Sequence, residues 1–108
     1  WTEAPAKLVG WFDRVWTFGF AYGNKRMKFL EKALILATAG SSLDHLENLG
    51  LLDGMKNVML KDRLFEKVKQ SDFIVFDEMS REKETRNTKW EKNLERAYLL
   101  GKEFFIQK

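Results

Sequence analysis

Two short stretches carry the residue types from which a ligand site could be built: Trp1-Thr2-Glu3-Ala4-Pro5 and Thr38-Ala39-Gly40-Ser41-Ser42. Each leads into a segment of helical pattern. Each therefore offers backbone N–H groups at a helix start, suited to an anion or an electron-rich carbonyl. Trp1 adds a flat apolar face, and Tyr22 a second one with a hydroxyl, surfaces against which an aromatic ligand stacks. These features are compatible with a nucleotide, a flavin or an aromatic substrate.

Other chemistries find less material. The chain has no cysteine, which removes disulfides, thiolate metal sites and cysteine nucleophiles. One histidine does not build an imidazole zinc site, and no metal site is expected. Gly40-Ser41-Ser42 lacks the lysine and glycine spacing of a phosphate-binding P-loop. No Gly-x-Ser-x-Gly elbow occurs. Asp44 and His45 lie beside Ser41 and Ser42, but sequence neighbours rarely converge as a catalytic triad, and His45 reads as a loop or helix-start residue. Lys25, Arg26 and Lys28 read as a solvated basic connector, with contact to a cofactor phosphate as the alternative. A net charge of +3, from 19 basic and 16 acidic residues, does not argue for nucleic acid.

The elements that must position these stretches follow from hydropathy. With 108 residues, 44% of them hydrophobic, the chain is one domain or a piece of one. Pro5 suits the first turn of a helix, and Leu8, Phe12, Val15 and Trp16 then recur at helical spacing. Gly19 to Gly23 ends that helix. Residues 33–38, Ala-Leu-Ile-Leu-Ala-Thr, form a nearly continuous apolar run closed by small residues, the pattern of a buried parallel strand. Residues 43–68 keep a rough helical period, with a helix over 51–68 crossing to a second strand at Phe73-Ile74-Val75-Phe76. Residues 81–92 read as a solvated loop and first turn. Trp90, Leu94, Ala97, Tyr98, Gly101, Phe104 and Phe105 then mark one face of a last helix, read as core packing.

Strands alternating with helices imply a parallel α/β sheet. Two strands are too few for a sheet covered on both faces, and Trp1 to Pro5 reads as the exit from a further strand. The expectation is that strands are missing, supplied by an absent N-terminal part, by a second chain or by rearrangement. A trimmed terminus on a complete domain is the alternative.

At Pro5-Ala6-Lys7-Leu8-Val9-Gly10-Trp11-Phe12-Asp13-Arg14-Val15, followed by Gly19-Phe20-Ala21-Tyr22, the sequence resembles the flavodoxin-like NAD(P)H:quinone oxidoreductases. That family includes bacterial drug-activity modulators and the ancillary subunits of potassium-efflux systems. Its motif runs roughly P-A-x-L-K-G-W-x-D-R-V, then G-F-A-Y; Val9 stands where lysine is usual. A further landmark, Thr-Thr-Gly-Gly at a strand end, has its counterpart in Ala37-Thr38-Ala39-Gly40. The resemblance covers the whole chain.

It implies a partial flavodoxin-like domain over residues 1–108, running from the end of strand 3 of a 2-1-3-4-5 sheet to the last helix. The parent would be a three-layer α/β/α fold. It implies FMN or FAD as cofactor, NAD(P)H as hydride donor and a quinone-like acceptor, with hydride passed in two steps. Trp1, Thr2, Thr38, Ala39 and Gly40 match flavin-side positions. Thr2 stands where relatives often carry a second aromatic, and Ala39 where a glycine is common. Tyr22 matches a tyrosine that lines the substrate pocket across a dimer interface, and His45 falls near a pocket tyrosine. No catalytic acid or base is implied. A homodimer in the cytoplasm is expected, inactive as this half alone. The rival reading is a non-enzymatic regulatory subunit bound to a membrane transport protein.

Overall fold

The computed structural model describes residues 2–106. The elements in chain order are helix α1 (Ala6–Val15), strand β1 (Leu30–Thr38), helices α2 (Leu43–Asn48) and α3 (Leu51–Lys56), a π-helical segment (Asn57–Arg63), strand β2 (Val68–Phe76) and helix α4 (Lys83–Glu103). The two strands pair in parallel with Leu30 opposite Val68 and Thr38 opposite Phe76. Parallel neighbours need a long crossover, and residues 39–67 supply it.

The register decides which side chains share a face. Ile35 lies opposite Phe73 and Ala37 opposite Val75. These four turn toward α1, α2 and the π-helical segment, where Phe12, Leu46, Met59, Phe73 and Val75 form the buried cluster. Leu8, Trp16 and Met55 close its margin. Phe12 is fixed by the rings of Trp11 and Trp16, with centroids 5.2 and 5.5 Å away. The guanidinium of Arg63 covers its ring at 5.0 Å.

Three expectations are corrected. The crossover helix does not reach residue 68. Regular α-helix stops at Lys56 and widens into the π-helical segment, with the Leu64 N–H on the Met59 carbonyl at 3.1 Å, five residues back. Widening the turn lets Met59 and Leu64 both point inward. The chain then reverses at Glu66, in the left-handed region at φ 52°, and Val68 already belongs to β2.

Both strands are also longer than their apolar runs. Lys69, Gln70, Ser71 and Asp72 carry no hydropathy signal, yet they belong to β2: Gln70, Ser71 and Asp72 pair with β1, and the Lys69 ammonium reaches Glu31 at 2.7 Å.

The largest correction concerns α4. Trp90, Leu94 and Tyr98 are 47, 54 and 69% exposed, not core. The half-buried row is Lys89, Asn93, Ala97, Leu100 and Phe104. Lys89 binds Asp77 and Glu78, and the Asn93 amide donates to the Asp77 carbonyl at 3.4 Å. Lys32 holds the other end, donating to the Phe104 carbonyl at 3.1 Å. Polar anchors therefore set the rotation of the helix and turn its most apolar row outward.

The radius of gyration is 15.7 Å, against about 13 Å for a compact domain of this length. No large side chain among the described residues is less than 2% exposed. One sheet face carries a real core and the other is thinly covered.

Two glycines separate backbone need from packing need. Gly23 sits at φ +72°, and a Cβ there would meet the Phe18 ring at 2.5 Å. Gly10 lies inside α1 with nothing within 4 Å of its would-be Cβ. Thermal or denaturant unfolding should show Gly23→Ala losing about 1–2 kcal/mol and Gly10→Ala gaining about 0.5–1 kcal/mol.

Candidate functional site

In a parallel α/β sheet, ligands sit beyond the carboxyl ends of the strands. Here those ends are Thr38 and Phe76. The loop after β1 is tied to the loop after β2: the Ala39 N–H donates to the Phe76 carbonyl (3.0 Å), the Met79 N–H to the Ala39 carbonyl (2.9 Å) and the Glu78 N–H to the Ser41 carbonyl (3.1 Å). Glu78 adopts φ 57°, a left-handed conformation unusual for a residue with a side chain.

Asp77 completes the lock. It is buried, and its carboxylate accepts the Leu43 N–H at 2.8 Å and the Lys89 ammonium at 3.1 Å. Burial pushes this carboxyl up. The Leu43 N–H and Lys89 outweigh burial and hold it below the ordinary aspartate value. Lys89 is raised by Glu78, at 2.9 Å, and by Asp77.

This lock alters the expected donors. The α2 start was expected to present N–H groups to a ligand. Leu43 instead serves Asp77, and the His45 N–H caps onto Ser42 Oγ at 3.2 Å. The N–H groups of Gly40 and Ser41, on the exposed turn, have no acceptor among the described residues. The Ala39 methyl packs against the buried cluster, so its presence in place of glycine does not crowd the outer side of the turn. At the α1 start, Leu8 and Val9 bond back to the Pro5 carbonyl, while Ala6 and Lys7 N–H remain without acceptors among the described residues.

An open cleft of about 510 Å³ lies along the free edge of β1, with Thr2, Pro5 and Thr38 at its upper end. Ile35, Met59 and Phe73 supply part of its apolar floor. The structure thus brings together Thr2 and Thr38, with Ala39 and Gly40 in the adjoining turn. Trp1 lies outside the described residues. His45 is exposed and does not line this cleft. Tyr22 lies by the opposite end of the strands, lining a cleft there together with Lys67, and it does not line the cleft that holds Thr38. The nine residues of a strand set the two ends about 25–30 Å apart. Asp77 is the functional residue that hydropathy and motif do not single out. Its only signal was a charged residue directly after four apolar ones.

A family described as having a flavodoxin-like fold matches residues 1–98. An NAD(P)H:quinone oxidoreductase from Methanothermobacter marburgensis matches with 39% identity and a TM-score of 0.86. The match covers 100% of this chain and 53% of that one, so the chain spans about half the length of the solved relative. No curated protein sequence matches significantly. No helix among the described residues is long and apolar enough to cross a membrane.

The lock predicts a pH profile. A carboxyl held low contributes stability above its unfolded value, about 3.9, and loses it as pH falls through the folded value. A lysine held high contributes below about 10.4 and loses it as pH rises through the folded value. Stability should plateau between these limits. Asp77→Asn should lower unfolding free energy by about 1.5–3 kcal/mol and flatten the acid-side decline seen in denaturant titrations at successive pH values.

Proposed function

The chain belongs to the flavodoxin-like fold family, and we propose that it is the flavin-side half of an NAD(P)H:quinone oxidoreductase. The observation that supports this most is the convergence of Thr2–Pro5 and Thr38 on one cleft at the carboxyl end of β1, with an apolar floor and with the unused Gly40 and Ser41 donors in the adjoining turn. Flavin rings match that chemistry: one polar edge with carbonyl oxygens and an otherwise flat apolar body.

When bound, FMN or FAD supplies hydride transfer from NAD(P)H to a quinone-like acceptor. The protein's own part is positioning. Gly40 and Ser41 N–H groups would hold a ring carbonyl and stabilise negative charge that gathers there. The Thr38 side chain is exposed at the same end, and Thr2 lies across from it. The apolar floor excludes water from the ring face. Because Ala39 N–H and Leu43 N–H are committed inside the protein, the turn stays in place whether or not a ligand is bound. No side chain needs to act as an acid or base.

The lower part of the cleft follows the free edge of β1, where unpaired backbone groups can accept another strand. In this reading the remaining strands of the longer protein fill that part and leave the Thr2–Thr38 end to the flavin. Tyr22 is half-exposed at the far end of its own sheet. Its proposed substrate-side role therefore requires a second subunit, with Tyr22 of one protomer reaching the cleft of its partner in a homodimer.

The test is a flavin titration. The full-length protein should take up one flavin per chain and oxidise NAD(P)H beyond one equivalent per flavin only when a quinone is supplied. The 108-residue chain alone should hold no stoichiometric flavin. A full-length protein without a flavin spectrum after reconstitution would overturn the reading.

A further inference from the structure

At the amino-terminal end of the sheet, the chain builds a cleft of about 490 Å³ lined by Trp16, Tyr22, Lys61, Arg63, Phe65 and Lys67. Asp62 is its one acidic lining residue. The volume lies in the range of small-molecule sites, about 300–1,000 Å³.

Lys67 is the unusual member. It is 7% exposed, and no carboxylate lies within 4.0 Å of it among the described residues. Its ammonium donates to the Phe65 carbonyl at 3.0 Å, which uses one of three N–H bonds. Burying a cation without a counter-charge is costly. Burial holds its pKa below the ordinary lysine value, with the like charge of Lys25 adding to the effect and Asp62 and Glu66 opposing it. Nearby cations do not relieve the shortage of negative charge. Lys25 is spent on the Glu66 carbonyl, and Arg63 stands over the Phe12 ring and 4.0 Å from Asp13.

The aromatic wall is fixed in advance. The Trp16 indole N–H donates to the Arg63 carbonyl at 2.6 Å, which holds the ring at the cleft. Phe65 stands 59% exposed beside it. A fixed indole, an exposed phenyl and a buried cation short of an anion describe one ligand chemistry, a flat ring carrying a multiply charged oxyanion.

We propose that this cleft binds a phosphorylated aromatic molecule of mononucleotide size, with its phosphate on Lys67 and Lys61 and its ring against Trp16 and Phe65. Tyr22 is the one lining residue that the flavin reading also uses, toward a partner's cleft; the groups that would hold the phosphate and the ring, Lys67, Lys61, Trp16 and Phe65, do not line the Thr2–Thr38 cleft, so the proposal does not draw on that reading.

The experiment titrates the full-length protein with AMP, adenosine and inorganic phosphate at low salt. Calorimetry gives affinity, and the Trp16 indole N–H resonance reports the place. AMP should shift that resonance saturably and bind more tightly than adenosine or phosphate. Lys67→Met replaces a buried cation with an apolar chain of similar length, and Lys61→Met changes only an exposed one. Each should weaken AMP about tenfold or more. Should Lys67→Met fail to fold, Lys61→Met decides alone. The proposal is overturned by an unmoved Trp16 resonance at millimolar AMP, by adenosine binding as tightly as AMP, or by AMP affinity unchanged in the folded lysine variants.

Discussion

The carboxylate of Asp77 holds four parts of the molecule to one point. It sits at the end of β2, accepts the first N–H of α2, pairs with Lys89 of α4, and stands beside the loop bonds that join the two strand ends. A buried carboxylate is costly unless charge and N–H donors surround it. Here the donors come from separate elements, so satisfying one atom group fixes the relative placement of all of them. The rotation of α4 is the clearest consequence. Its polar row faces the sheet because Lys89 and Asn93 are needed there, and Trp90, Leu94 and Tyr98 are left outside.

That dependence explains what could be read in the sequence and what could not. The parallel pairing of Leu34–Ala37 with Phe73–Phe76 was legible, because both segments are unbroken apolar runs bounded by small or charged residues. So was α1, whose apolar positions keep helical spacing after Pro5. The outer halves of the strands were not, since Lys69 to Asp72 are stabilised by ladder bonds and a cross-strand ion pair that hydropathy does not register. Nor was the face of α4, because a stripe of apolar residues says which row would prefer burial, not which row is anchored. In the candidate cleft, Thr2 and Thr38, expected from motif and position to lie near one another, line the same opening. The internal use of the Leu43 N–H was not legible, since it depends on a residue 34 positions away.

The two ends of the sheet have different chemical character. At the carboxyl end, backbone donors and an apolar floor suit a neutral or electron-rich ring. At the amino end, a buried ammonium and a fixed indole suit a charged one. Parallel strands place both termini of each strand on opposite poles, so one short sheet separates two environments by its own length. The molecule is elongated and thinly covered on the α4 face, and the chain spans about half the length of the solved relative.

Amide hydrogen exchange tests the central arrangement most directly, read residue by residue at neutral pH in the full-length protein with and without flavin. The Leu43 amide should be strongly protected in both states, because Asp77 holds it. The Gly40 and Ser41 amides should exchange freely without flavin and slow when it is added. A Leu43 amide that exchanges as fast as Gly40, or Gly40 and Ser41 amides indifferent to flavin, would contradict the account.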